Sequence, residues 1–145
     1  MNRISFGTLA ALASGCVAYV GPGPEPVPGH PVNSAPYVDW ADAGCYWDSG
    51  YRDDIWYFEA AVSDPDGALD VVAVYADVYD AWSGAWADSF ELYPTQDPNY
   101  WFSDWLGSTT WLNCDYGGYL VDIVAYDSFD DVDVLTFEPL TYAGR

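Results

Sequence analysis

The strongest pattern in the chain is a pair of β-type runs either side of Asp64-Pro65-Asp66-Gly67. Ile55-Trp56-Tyr57-Phe58-Glu59-Ala60-Ala61-Val62 precedes the turn, and Leu69 to Tyr79 continues in kind beyond it. Both are rich in aromatic and β-branched residues and neither has helical spacing, so they predict a strand, a turn and a strand. Pro65 presets φ, Asp64 accepts from a nearby amide, and Gly67 tolerates the exit. The same reading predicts an edge strand over 37–40 and strands over 54–63, 69–79, 87–93, 100–106, 119–126 and 132–138. Ser83-Gly84 forms a hairpin tip, Pro94 to Asn99 is a break, and Leu112 to Gly118 is a loop. Six or seven strands at short spacing and no helix imply an all-β antiparallel sandwich.

The first 36 residues read differently. Met1-Asn2-Arg3 is a short positive region, and Ile4 to Leu12 is an apolar stretch too short to span a bilayer. Residues 1–15 are therefore expected to be a signal peptide. Leu12-Ala13-Ser14-Gly15-Cys16 resembles the lipobox of bacterial lipoproteins, with Ala13 where Leu is usual. That resemblance implies that Cys16 is lipidated and becomes the mature N-terminus, and two or three acyl chains anchor a protein stably. Val17, in place of the Asp that signals inner-membrane retention in such lipoproteins, implies the outer membrane. The alternative is an ordinary secretory signal with Cys16 lost or left as a spare thiol. Residues 16–36, with six prolines after the cysteine, read as a semi-stiff linker reaching at most about 60 Å. His30 lies inside it.

That leaves 37–145 as one domain, large enough for its own core. Its composition, 51% hydrophobic and 19% aromatic, excludes a disordered chain. Charge changes the picture most: 23 acidic residues face three Arg and no Lys, for a formal net charge of -20. Such a surface repels phosphate backbones, which excludes nucleic acid as a partner, and it concentrates divalent cations. The plainer reading of such a surface is a solvated one, kept soluble by repulsion or adapted to a salty medium.

Val62-Ser63-Asp64-Pro65-Asp66-Gly67 with Val72 and Val74, paired with Tyr119-x-Val121-x-Ile123-x-Ala125-x-Asp127, resembles bacterial immunoglobulin-like or cadherin-like domains of surface proteins, over about residues 54–138. The resemblance implies an immunoglobulin-like sandwich whose loops alternate between two ends. Cys45 and Cys114 then share one end, and with Cys16 lipidated in an oxidising compartment they are expected to pair. Asp64 and Asp66 fall at the other end beside Asp127, Asp130 and Asp131. Related Asp positions bind calcium in cadherin-like relatives, so Asp64, Asp66, Asp127 and Asp130 are candidate Ca2+ ligands; the plainer reading makes them turn formers serving their own backbone.

Trp82 and Trp86 flank the Ser83-Gly84 tip, and planar indoles suit stacking on sugar rings, although Trp in a small sandwich more often packs in the core. No Lys, and a single His in the linker, leave no nucleophile–base arrangement to build, so an enzyme is not expected. The expectation is a cell-envelope lipoprotein displaying a non-catalytic binding or structural domain for adhesion or envelope assembly, with membrane contact through its lipid. The alternative is a glycan-binding module, with or without calcium.

Overall fold

A computed structural model describes residues 32–144. The expected signal peptide, Cys16, His30 and the expected linker up to Pro31 lie outside the described residues. Seven strands follow in order: β1 (Tyr37–Asp48), β2 (Asp53–Ser63), β3 (Val71–Asp80), β4 (Trp86–Pro94), β5 (Tyr100–Leu106), β6 (Tyr119–Asp127) and β7 (Val132–Phe137). Two short 3-10 turns sit at Gly107–Thr109 and Tyr142–Gly144. Every strand pairing is antiparallel.

Side-chain period explains why these segments are strands. In β2, Trp56, Phe58, Ala60 and Val62 are buried while Tyr57, Glu59 and Ala61 face the other way, the alternation of a strand with one face on a core. Val74, Ala76 and Val78 of β3, Phe90 and Leu92 of β4 and Val121, Ile123 and Ala125 of β6 complete that core. Rings join the two layers across it: Phe58 stacks on Phe90 at 4.7 Å and Trp56 meets Tyr119 edge-on at 5.9 Å. Full burial of each large side chain contributes roughly 1.5–3 kcal/mol.

The strand order is β1-β2-β5-β4-β3-β6-β7. β1, β2 and β5 form one layer, and β4, β3, β6 and β7 form the other. The expected sandwich is thus present, but its two layers are not separate sheets. β4 crosses between them through Tyr93↔Phe102 and Pro94↔Trp101, which makes a nearly closed barrel of the seven strands. β1 is one strand of 12 residues where the sequence suggested a short piece over 37–40. Ala41, Ala43 and Gly44 have weak strand preference, and continuous pairing with β2, shifted once between Val38 and Trp40, supplies what propensity lacks.

Those small residues make room for the chain's own tail. Leu140 donates its amide to the Ala43 carbonyl (2.8 Å) and accepts from the Cys45 amide (3.0 Å), and Tyr142 donates to the Cys114 carbonyl (2.8 Å). A Cβ on Gly44 would lie 2.7 Å from the Leu140 oxygen, so only glycine admits this crossing. Beneath the tail, Cys45 and Cys114 are joined in a disulfide with Cα atoms 5.9 Å apart, a normal spacing for the bond.

Antiparallel connections place the loops at two poles. Turns 64–70, 95–99 and 127–131 share one pole; 49–52, 81–85 and 107–118 share the other. Residues 32–36 approach the first, where Pro36 is fully buried.

Candidate functional site

Each acidic-pole turn is built by its own aspartate. Asp64 Oδ1 accepts from the Asp66 amide at 2.7 Å, and its backbone oxygen accepts from Gly67. Asp127 Oδ1 accepts from the amides of Phe129 (2.8 Å) and Asp131 (2.9 Å). The turn-forming reading therefore holds for one oxygen of each residue. The second oxygens are used differently. Asp127, wholly buried, receives Asn33 Nδ2 on Oδ2 at 2.7 Å, while Asp64 Oδ2 is buried with no hydrogen-bond donor among the described residues.

Asp70 completes the arrangement. One carboxylate oxygen from each of Asp64, Asp70 and Asp127 lies within 4.8 Å of the others. Two oxygens on opposite sides of a Ca2+ ion stand about 5 Å apart, given bonds of about 2.4 Å, so these three can share one cation and leave its remaining positions to water. Asp66 and Asp130 stand outside the group. Asp66 is exposed and its Oδ2 accepts from the Ser34 amide at 2.8 Å; Asp130 holds the left-handed corner of the β6–β7 turn, with φ of 65°, a conformation Asp tolerates. Burial pushes the Asp127 carboxyl up, but the donors Asn33, Phe129 and Asp131 outweigh it and hold it below the ordinary carboxylate value.

Asp70 escaped the sequence reading because the strand run was drawn from Leu69. The strand starts at Val71, and Asp70 ends the turn, its amide bonded to the Gly67 carbonyl. Asn33 was hidden by the prolines around it. Besides reaching Asp127 it bonds Asp131 Oδ2 at 2.9 Å, a neutral donor holding two carboxylates together.

The opposite pole is aromatic. Trp82 is 88% exposed, Trp111 85% and Trp86 60%, whereas Trp56 and Trp101 are buried in the core. Carboxylates fasten the loops that carry these indoles. Asp80 accepts from the Tyr116 hydroxyl, from the Ser83 amide and hydroxyl and from the Trp82 amide, tying the β3–β4 tip to the 107–118 loop. Asp88 Oδ2 accepts from the Trp111 amide at 3.0 Å, and Asp53 accepts from Ser108. The Tyr116 hydroxyl, followed by the Ser83 donors, lowers the Asp80 pKa to about 2. Both indoles singled out in the sequence, Trp82 and Trp86, are thus solvent-facing on a braced hairpin. Compared with known proteins, the chain matches no family model, no curated protein and no solved structure.

Proposed function

We propose that this chain is a cell-envelope lipoprotein, anchored through Cys16, whose acidic, disulfide-braced β-domain is a non-catalytic binding or structural module for adhesion or envelope assembly. One observation carries the reading. The chain reaches the domain at the acidic pole, through Asn33, Ser34 and Pro36, while the exposed indoles Trp82, Trp86 and Trp111 stand at the other pole. Strands of about ten residues put some 30 Å between the two. A tether at that N-terminus offers the aromatic pole to a partner. Apolar rings held on a rigid frame are what a binding surface needs, since little side-chain entropy is lost on contact.

In this reading Asp64, Asp70 and Asp127 hold calcium, which offsets the repulsion of three converging carboxylates and stiffens the pole where the tether arrives. The test is made on full-length protein in membranes. Mass spectrometry is expected to find acyl groups on Cys16, Cys16→Ala is expected to release the domain, and a photocrosslinker at Trp111 is expected to capture an envelope protein. An unmodified Cys16, or a Cys16→Ala form that stays membrane-bound, refutes the anchor.

The exposure of Trp82 and Trp86 also favours glycan binding by the same pole, with neutral sugars preferred over anionic ones by a chain of net charge -20. Retention on immobilised neutral glycan that disappears in Trp82→Ala and Trp86→Ala, with no protein crosslinked from Trp111, selects this second reading.

A further inference from the structure

The outer face of the β4-β3-β6-β7 layer carries one of three directly opposed acidic pairs among the described strands, the others being Asp42 with Glu59 and Asp48 with Asp53 between β1 and β2. Asp77 of β3 and Asp122 of β6 are directly opposed, and both side chains point away from the core. Like charges facing each other across strands destabilise a sheet. Each carboxylate has one hydroxyl donor from the outer strand beside it: Ser89 Oγ reaches Asp77 Oδ1 and Thr136 Oγ1 reaches Asp122 Oδ1, both at 2.6 Å. The second oxygen of each accepts nothing among the described residues. Hydroxyls of this kind satisfy an acceptor without removing its charge, so the pair remains a doubly negative spot.

Its surroundings are aromatic and aliphatic. Tyr75 lies on the same face of β3 and meets Tyr126 edge-on at 6.2 Å. A cleft of about 320 Å³ runs from Asp122, Tyr79, Leu120 and Thr136 towards Asp80, Ala81 and Gly84 at the β3–β4 tip, enough to admit one long side chain. The Tyr79 hydroxyl is pushed above its ordinary range, by burial first and then by Asp77 and Asp122; like any phenol it is a donor at neutral pH.

Resting on the binding-domain reading above, we propose that this sheet face, centred on Asp77 and Asp122, docks an arginine-bearing segment of a protein partner. The argument is charge complementarity combined with shape. Facing residues of neighbouring strands have Cβ atoms about 5 Å apart, so one planar guanidinium spans both carboxylates. It also stacks on a flanking tyrosine in a way that a compact ammonium does not. A bare metal ion would gain nothing from Tyr75, Tyr79 or Leu120, and a neutral sugar nothing from the doubled charge.

The probe is the peptide acetyl-Arg-Tyr-Arg-amide, titrated into the intact disulfide-bonded domain and followed by NMR. Saturable shifts at Tyr75, Tyr79, Leu120 and Thr136 are expected. Asp77→Asn/Asp122→Asn is expected to weaken binding at least tenfold, and a citrulline version of the peptide to lose it. Because any cationic peptide is attracted to this chain, the control is Asp39→Asn/Asp104→Asn, which removes the same charge from exposed positions of the other layer and is expected to change affinity less than twofold. The Asp77/Asp122 variant is also expected to melt at a higher temperature, since it removes a repulsion; that readout shows that it folds. Equal weakening by both pairs, or shifts confined to Trp82, Trp86 and Trp111, overturns the proposal. A photocrosslinker at Val134 on this face separates the two readings. Envelope protein captured from Trp111 alone overturns the sheet-face docking and leaves the binding domain standing, whereas capture from neither position overturns both.

Discussion

Reducing the Cys45–Cys114 bond should cost the domain about 4 kcal/mol. The bridge joins residues 69 apart in sequence, and a loop of that length loses about 15 cal/mol/K of chain entropy in the unfolded state when closed. Unfolding entropy of about 2.1 cal/mol/K per residue near 60 °C, over a domain of roughly 110 residues, converts this into a fall in Tm of about 15–20 °C. Urea unfolding followed by tryptophan fluorescence, with and without reductant, isolates closure because no atom is removed. The urea slope should rise on reduction, since an unbridged unfolded chain exposes more surface. Cys45→Ala and Cys114→Ala should each lose the same 4 kcal/mol, plus about 1 kcal/mol for a buried sulfur, both residues being buried. A reduced protein within about 1 kcal/mol of the oxidised one, with an unchanged slope, refutes the closure argument. Markedly unequal single variants would show that packing, not closure, dominates.

Three further outcomes are expected. The Asp80 pKa of about 2 lies below the unfolded value near 3.9, so its stabilisation is complete above pH 4 and is lost as pH falls towards 2; urea midpoints of Asp80→Asn should lose that part of the acid dependence. Calorimetric titration of chelator-treated protein with Ca2+ should show at least tenfold weaker binding for Asp70→Asn than for Asp66→Asn or Asp130→Asn, and no heat from the unaltered protein at millimolar Ca2+ removes the cation site. Gly44→Ala should push the tail from β1 and cost about 1–3 kcal/mol, with hydrogen exchange losing protection at the amides of Cys45, Leu140 and Tyr142 first.

The strands were legible because burial on one face writes a period of two into the sequence. Trp56-x-Phe58-x-Ala60-x-Val62 and Val121-x-Ile123-x-Ala125 carry it openly, and the predicted bounds of β2, β5 and β6 fall within a residue or so of the observed ones. The resemblance implied loops alternating between two ends and hence the pairing of Cys45 with Cys114, which the structure has; the strand order itself had no such trace. β1 was less legible: its middle is Ala and Gly, chosen for the tail above it and not for strand preference. The tail's crossing is a tertiary contact that leaves no periodic trace. At the acidic pole the turn logic of Asp64 and Asp127 was readable from local chemistry, but which carboxylates converge depends on where each strand starts. An error of two residues there hid Asp70. The Ser83-Gly84 tip marked Trp82 and Trp86 for exposure and the period of two marked Trp56 for burial, whereas Trp111, also exposed on the 107–118 loop, carried no such local signal.

Scarcity of cationic side chains explains much of the remaining architecture. With 23 acidic residues and no Lys, the chain satisfies its carboxylates with hydroxyls and amides: Tyr116 on Asp80, Tyr100 on Glu59, Tyr142 on Asp54, Ser108 on Asp53 and Thr136 on Asp122. Glu59 in turn pushes the Tyr100 pKa up to about 12, mainly through that hydrogen bond. Such bonds fix geometry as well as an ion pair does, yet they leave the negative field intact. The field must then be met from outside wherever carboxylates outnumber donors. Asp64 Oδ2 at the acidic pole is buried without a donor among the described residues, and Asp77 and Asp122, opposed on the open sheet, have one hydroxyl donor each. Three carboxylate oxygens converge at the first, which suits an inorganic cation; aromatic rings flank the second, which suits an organic one.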